Sequence, residues 1–172
     1  GSSRFLLAAL RQDSIDKAPE DYICELFDCY ADTFDSHLQD QLDYQTPILL
    51  SQLLPSTSNF DSILDLGAGT GLAVSALQLT EHSFNTATAV DLSAKMLLKA
   101  EEKGLYTQYH HGDLINFMQS NADQYELIVA ADVFVYFGDL SSVFELCRQR
   151  LTPNGMLLFS TERRDQPGFG LH

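Results

Sequence analysis

The run Leu64-Asp65-Leu66-Gly67-Ala68-Gly69-Thr70-Gly71 constrains this chain more than any other segment. It follows Ile63 and leads into Leu72-Ala73-Val74, so it reads as a strand, a glycine turn and a helix start. Glycines spaced GxGxG permit a left-handed backbone and let a ligand approach the main chain. A turn of this kind belongs to parallel α/β architecture, where ligands sit beyond the carboxyl ends of the strands. Asp65 at the strand end can accept from an ammonium group, and the following helix N-terminus can receive a carboxylate. A ligand with both groups is an amino acid, and this turn is also suited to one bearing a nucleoside.

The rest of the chain repeats the strand-helix alternation. Strands are expected at Ser62–Leu66, Thr86–Val90, Tyr106–His110, Tyr125–Ala130 and Met156–Ser160, and helices at Gly71–Leu79, Ala94–Lys103, Leu114–Gln119 and Leu140–Leu151. Ser93 caps the second of these helices, Gly104 ends it, and Pro153-Asn154-Gly155 reads as a turn. Upstream, residues 4–11 look helical and Gln12–Glu20 reads as a linker. Residues 21–39 carry Ile23, Leu26, Phe27, Tyr30, Phe34 and Leu38 at helical steps, and Pro47 opens a helix over Ile48–Leu54. The division expected is an N-terminal helix and linker over 1–20, then one ligand-binding domain over 21–172. Such repeats imply a parallel sheet covered by helices on both faces. The residues after each strand then converge: Gly67 to Gly71, Asp91, Asp113, and Ala130 to Asp132.

Composition narrows the function. With 172 residues and a hydrophobic share of 45%, the chain can bury a real core, and no run reaches the length of a membrane span. A net charge of -14 argues against nucleic acid and leaves a small-molecule, peptide or protein substrate open, of which a small molecule is the one expected. Much of the acid lies between Asp13 and Asp43, which reads as a solvated helical face. Cys24, Cys29 and Cys147 form no metal or disulfide spacing and suit a cytoplasmic setting. His110 and His111 are adjacent on a strand, point to opposite faces and cannot readily share a metal, so none is expected.

Taken in order and spacing, these motifs resemble the class I S-adenosylmethionine (SAM)-dependent methyltransferases over roughly residues 21–162. Leu64–Gly71 looks like that family's first motif, and Val90–Ser93 with Met96 like its second-strand acid and following helix. Gly112-Asp113-Leu114 looks like its adenine-contacting motif. Tyr125–Asp132 and Leu151–Gly155 look like its fourth strand and the turn before the fifth.

The resemblance implies a Rossmann-like sheet of order 3-2-1-4-5 with N-terminal helices, and SAM as cofactor. Strands six and seven, which the family fold carries, are not visible here. The implied cofactor residues are Tyr30, Asp65, Gly67, Ala68, Gly69, Gly71, Asp91, Leu92, Met96, Asp113, Leu114 and Ala130. Asp91 would accept the ribose hydroxyls and Asp113 the adenine amino group. Leu92, Met96 and Leu114 would sandwich the ring, Asp65 would hold the methionine amine, and Tyr30 would sit in a lid. Each also has a plain structural role open to it: Asp113 can cap a helix, and Tyr30 can simply pack.

A narrower resemblance, over Leu26–Leu38, Leu42–Pro47 and Ala130–Asp139, is to methyltransferases associated with tetratricopeptide repeats, although no such repeat lies in this chain. A general base is needed only where the acceptor arrives protonated, and Asp132, Tyr136 and His37 are the candidates. The apolar fifth strand invites pairing with a second copy at its edge. A non-catalytic SAM-binding scaffold or sensor is the alternative reading. A nicotinamide-dependent oxidoreductase is disfavoured by the GxGxG spacing.

Overall fold

The alternation along the strands explains the architecture. In the computed structural model, which describes residues 20–36 and 44–161, the chain begins with α1 (Glu20–Tyr30), α2 (Phe34–Ser36) and α3 (Thr46–Ser51). The repeating units follow: β1 (Asn59–Leu66), α4 (Leu72–Leu79), β2 (Ser83–Asp91), α5 (Ala94–Lys103), β3 (Gln108–His111), α6 (Leu114–Ser120), β4 (Tyr125–Ala130), a 3-10 turn at Phe134–Tyr136, α7 (Ser141–Arg150) and β5 (Leu151–Phe159). All the pairings are parallel, in the order β3-β2-β1-β4-β5. The expected sheet order is therefore observed. Among the described residues β5 pairs only with β4.

Successive strand residues point to opposite faces, and here both faces are apolar. Ile63, Ala87, Ala89, Leu127 and Val129 face Val74, Leu77, Leu97 and Ala100 of α4 and α5. Leu64, Leu66, Val90, Ile128 and Ala130 face Leu114, Phe117, Met118, Val143 and Cys147 of α6 and α7. Burial on both sides is what a parallel sheet requires. Ser93 caps α5 through the N–H of Met96, and Asp113 caps α6 through that of Asn116, so two helix starts are fixed where their strands end.

Several element limits differ from the sequence expectation. The helix expected over 21–39 stops at Tyr30, and a turn closed by Thr33 N–H on the Tyr30 carbonyl leads into α2. The break lets Phe34 fold back edge-on against both Phe27 and Tyr30. The helix after Pro47 starts earlier, at Thr46, and ends at Ser51. The turn expected at Pro153-Asn154-Gly155 is absorbed into β5 as a bulge: β4 advances from Tyr125 to Leu127 while β5 advances from Leu151 to Met156. A Cβ on Gly155 would lie 2.9 Å from the Tyr125 carbonyl oxygen, so only glycine fits the bulge. The helix expected at 4–11, His37 and residues 162–172 lie outside the described residues.

Phe134 joins the end of β4 to its neighbours. It is 1% exposed and packs against the rings of Phe137, Phe144 and Phe159. Phe134→Ala should cost about 3–5 kcal/mol by urea denaturation, the range for a deleted core ring. A loss below 1 kcal/mol would mean that this corner does not hold β4, α7 and β5 together.

Candidate functional site

The strand order reverses beside β1, and a cavity of about 440 Å³ opens there above the carboxyl ends of the strands. Its floor is Gly67 and Gly69, Val90, Asp91 and Leu92 after β2, and Gly112, Asp113 and Leu114 after β3. One side wall is Ala131, Asp132, Val133, Tyr136 and Phe137, after β4. Ile23, Leu26, Phe27, Tyr30 and Phe34 form the roof, joined by Tyr44 from before α3. Phe27 meets Phe34 at 6.1 Å and Tyr136 at 6.0 Å, both edge-on.

Asp91 organises the floor. Its Oδ2 accepts from the Gly69 N–H at 2.8 Å, and its Oδ1 accepts from the Ser93 N–H at 2.8 Å. Burial pushes its carboxyl above the ordinary range, against those two donors and the nearby His111. A desolvated carboxylate on a cavity wall favours further hydrogen-bond donors from a ligand. Asp113 and Met96, both buried, lie beside it, as does Leu92.

The glycines of the turn divide their roles. A Cβ on Gly67, where φ is +66°, would lie 2.1 Å from Cγ2 of Val133. A Cβ on Gly71 would lie 2.9 Å from Leu105 and 3.1 Å from Tyr106. These two are required by the protein's own packing. Of the three, only Gly69, with φ +54° and Phe34 4.0 Å from where its Cβ would lie, leaves main chain open to the cavity.

Of the expected cofactor residues, Tyr30, Gly67, Gly69, Asp91, Leu92, Met96, Asp113 and Leu114 line the cavity together. Asp65, Ala68, Gly71 and Ala130 do not line it. Asp65 shows why. The alternation that buries Ile63 toward α4 and α5 sends Asp65 the same way, where it is 1% exposed and accepts from the Tyr106 hydroxyl at 2.6 Å. Burial drives its pKa up to about 7, with the Tyr106 hydrogen bond opposing. The candidates Asp132 and Tyr136 both reach the cavity.

The sequence reading missed Tyr44 and the latches of the lid. Asp28 accepts from the Ser93 hydroxyl, and the Cys24 thiol donates to the Leu92 carbonyl. Asp32 meets Lys99 at 3.1 Å. Asp35 meets Lys103 at 2.6 Å and accepts from the Thr70 hydroxyl. While Glu20, Asp21 and Glu25 are exposed as expected, three acids of the stretch expected to be a solvated face, Asp28, Asp32 and Asp35, therefore tie the α1–α2 segment to α5 and the glycine turn. Their signal in the sequence was the match between Asp28, Asp32 and Asp35 and the one-turn spacing of Lys99 and Lys103.

Residues 64–157 match a methyltransferase domain family. The chain belongs to that family. A malonyl-[acyl-carrier protein] O-methyltransferase of Priestia megaterium is 33% identical over 142 residues, covering 78% of this chain and 49% of that protein. A ubiquinone biosynthesis O-methyltransferase of Actinobacillus pleuropneumoniae is 28% identical over 110 residues, covering 59% and 46%. This chain spans about half the length of the curated relatives it matches. Among solved structures, a DhpI–SAH complex superposes with a TM-score of 0.68 at 22% identity, covering 81% of this chain and 67% of that one. An S-adenosylmethionine-dependent methyltransferase from Clostridium acetobutylicum superposes with 0.58 at 26% identity, covering 78% and 56%. No helix among the described residues is long and apolar enough to cross a membrane.

Two outcomes test this geometry. Gly67→Ala should lower stability by about 2–4 kcal/mol because the new methyl overlaps Val133, whereas Gly69→Val meets only backbone strain of about 1–2 kcal/mol. Denaturation curves that rank the two the other way would contradict the assignment. The second concerns pH. Asp65 has a raised pKa in the fold, so its protonated form is the stabilising one. That contribution is full below the ordinary carboxylate range and is lost as pH rises through about 7. Replacing Asp65 with Asn should therefore flatten the melting-temperature profile between about pH 4 and 7, removing a pH-dependent loss on the order of a few kcal/mol. Identical slopes in the two proteins would show that Asp65 keeps an ordinary pKa.

Proposed function

We propose that this domain binds S-adenosylmethionine in the cavity and serves methyl transfer to a small-molecule acceptor. The observation that carries the reading is the meeting, under an aromatic lid, of the open Gly69 backbone with two carboxylates, Asp91 and Asp113. The residues present fit the group. Asp91 is desolvated and suited to a diol, Asp113 can accept from an adenine amino group, and Leu92, Met96 and Leu114 supply apolar walls for a flat ring. Tyr30 and the neighbouring rings close the site from above. Ala130 and Asp65 stand behind this surface and support it from the core.

When bound, SAM supplies an activated methyl group on a sulfonium, so the reactivity belongs to the cofactor. The protein's part is to hold the nucleophile and the methyl group in line, which is worth on the order of 7–11 kcal/mol when the alignment is good. Roof and walls here are largely aromatic, and such a lining also excludes water. The O-methyltransferases among the relatives support an oxygen acceptor. The resemblance to repeat-associated methyltransferases, which rests on the motifs upstream of β1 and on Ala130–Asp139, and the division at residue 20 are part of this proposal, as is pairing of two copies along β5.

Asp91→Ala should weaken binding of S-adenosylhomocysteine (SAH) by about 2–3 kcal/mol, roughly 30- to 150-fold, since a charged acceptor for two hydroxyls is lost. Calorimetry would measure it. An unchanged affinity in a folded variant, or no SAH binding by the unaltered chain, would overturn the proposal.

A further inference from the structure

The wall after β4 holds a polar group that cofactor binding leaves unused. Asp132 follows β4 directly and has φ +56°. The other described non-glycine residues with positive φ, Thr57 and Glu81, sit in exposed turns at the opposite ends of the strands. Asp132 is half-buried and lies on the cavity wall. A left-handed backbone in a non-glycine residue at a ligand cavity is a strained arrangement that the surroundings must hold in place.

They do so from two directions. Ser160, just past β5, accepts from the Asp132 N–H at 2.7 Å and donates its own proton to Asp132 Oδ1. From the roof, Tyr44 hydrogen-bonds the Asp132 carboxylate. Burial and the Asp132 charge raise the Tyr44 pKa far above the phenol range, so Tyr44 remains a donor. The carboxylate is thus steered by two hydroxyls from separate parts of the chain while still facing the cavity. Phe27, Tyr136 and Phe137 line the same cavity. No Lys, Arg or His among the described residues lines the cavity. An acceptor arriving as an anion would be repelled by Asp132. An uncharged group with a proton to donate would be held.

We propose that Asp132, positioned by Tyr44 and Ser160, is the proton acceptor for a neutral hydroxyl nucleophile carried on an apolar, ring-sized body. This rests on the methyltransferase reading and names its substrate class. As the acceptor's oxygen forms its bond to the methyl carbon, the carbon–sulfur bond breaks and its electron pair stays on sulfur. The hydroxyl proton passes to the Asp132 carboxylate and from there to water.

The test uses the chain saturated with SAH and reads dissociation constants by NMR titration for phenol, anisole, benzylamine and benzoate. Phenol should bind about tenfold tighter than anisole, which has the same body and no proton to give. Asp132→Asn should abolish that preference in a chain that still folds and still binds SAH, because asparagine tolerates the left-handed backbone. Tyr44→Phe, which leaves the Asp132 backbone untouched, should reduce the preference several-fold. Equal binding of phenol and anisole, a preference that survives Asp132→Asn, or selection of benzylamine or benzoate over phenol would overturn this inference while leaving the cofactor site intact. Failure of the unaltered chain to bind SAH would overturn the methyltransferase reading itself.

Discussion

The site depends on the carboxylate of Asp91. Its two oxygens take the N–H groups of Gly69 and Ser93, so one side chain at the end of β2 sets both the glycine turn after β1 and the start of α5. Ser93, fixed in this way, caps α5 through the Met96 N–H and donates to Asp28 of α1. The chain of contacts runs from sheet to turn to helix to lid without leaving hydrogen-bonding distance. Because burial disfavours the charged form of Asp91, these donors are what keep the carboxylate tolerable where it stands.

Around that centre, packing decides what each glycine is for. Gly67 makes room for Val133, and so lets the segment after β4 lie over the turn after β1. Gly71 makes room for Leu105 and Tyr106 at the foot of α4. Both are paid for by the interior, and only Gly69 is left to the cavity. The same close packing aims Asp132 at the cavity, since Val133 is seated on Gly67 and Phe134 is buried among Phe137, Phe144 and Phe159.

The lid illustrates how charge patterning can mislead. A chain with 24 acidic and 10 basic residues leads one to expect acids that simply face water. Lys99 and Lys103 nevertheless take up Asp32 and Asp35, and hydroxyls of Ser93 and Thr70 take up Asp28 and Asp35. Exposed and partly exposed pairs of this kind contribute little stability each. Their effect is directional: they set which face of α1 and α2 lies over the cavity, and so place Phe27, Tyr30 and Phe34 in its roof.

Local pattern was enough to determine the strands, their parallel direction, the caps Ser93 and Asp113, and the convergence of Gly69, Asp91 and Asp113, because each is written in spacing that can be counted, whereas the strand order was implied by the family resemblance. Apolar runs buried on both faces specify a parallel sheet, and in such a sheet the residues that end the strands must meet. Tertiary structure alone decided the rest. Asp65 follows the pleat of β1 into the core toward Tyr106, although it ends the same strand as the turn. Pro153-Asn154-Gly155 is held as a bulge because β4 supplies the pairing that a free turn would lack. Tyr44 reaches Asp132 across a separation that no local pattern encodes, and Ser160 meets the same carboxylate only because β5 lies beside β4. These contacts depend on which face of an element meets which neighbour, a choice made by packing the whole domain at once.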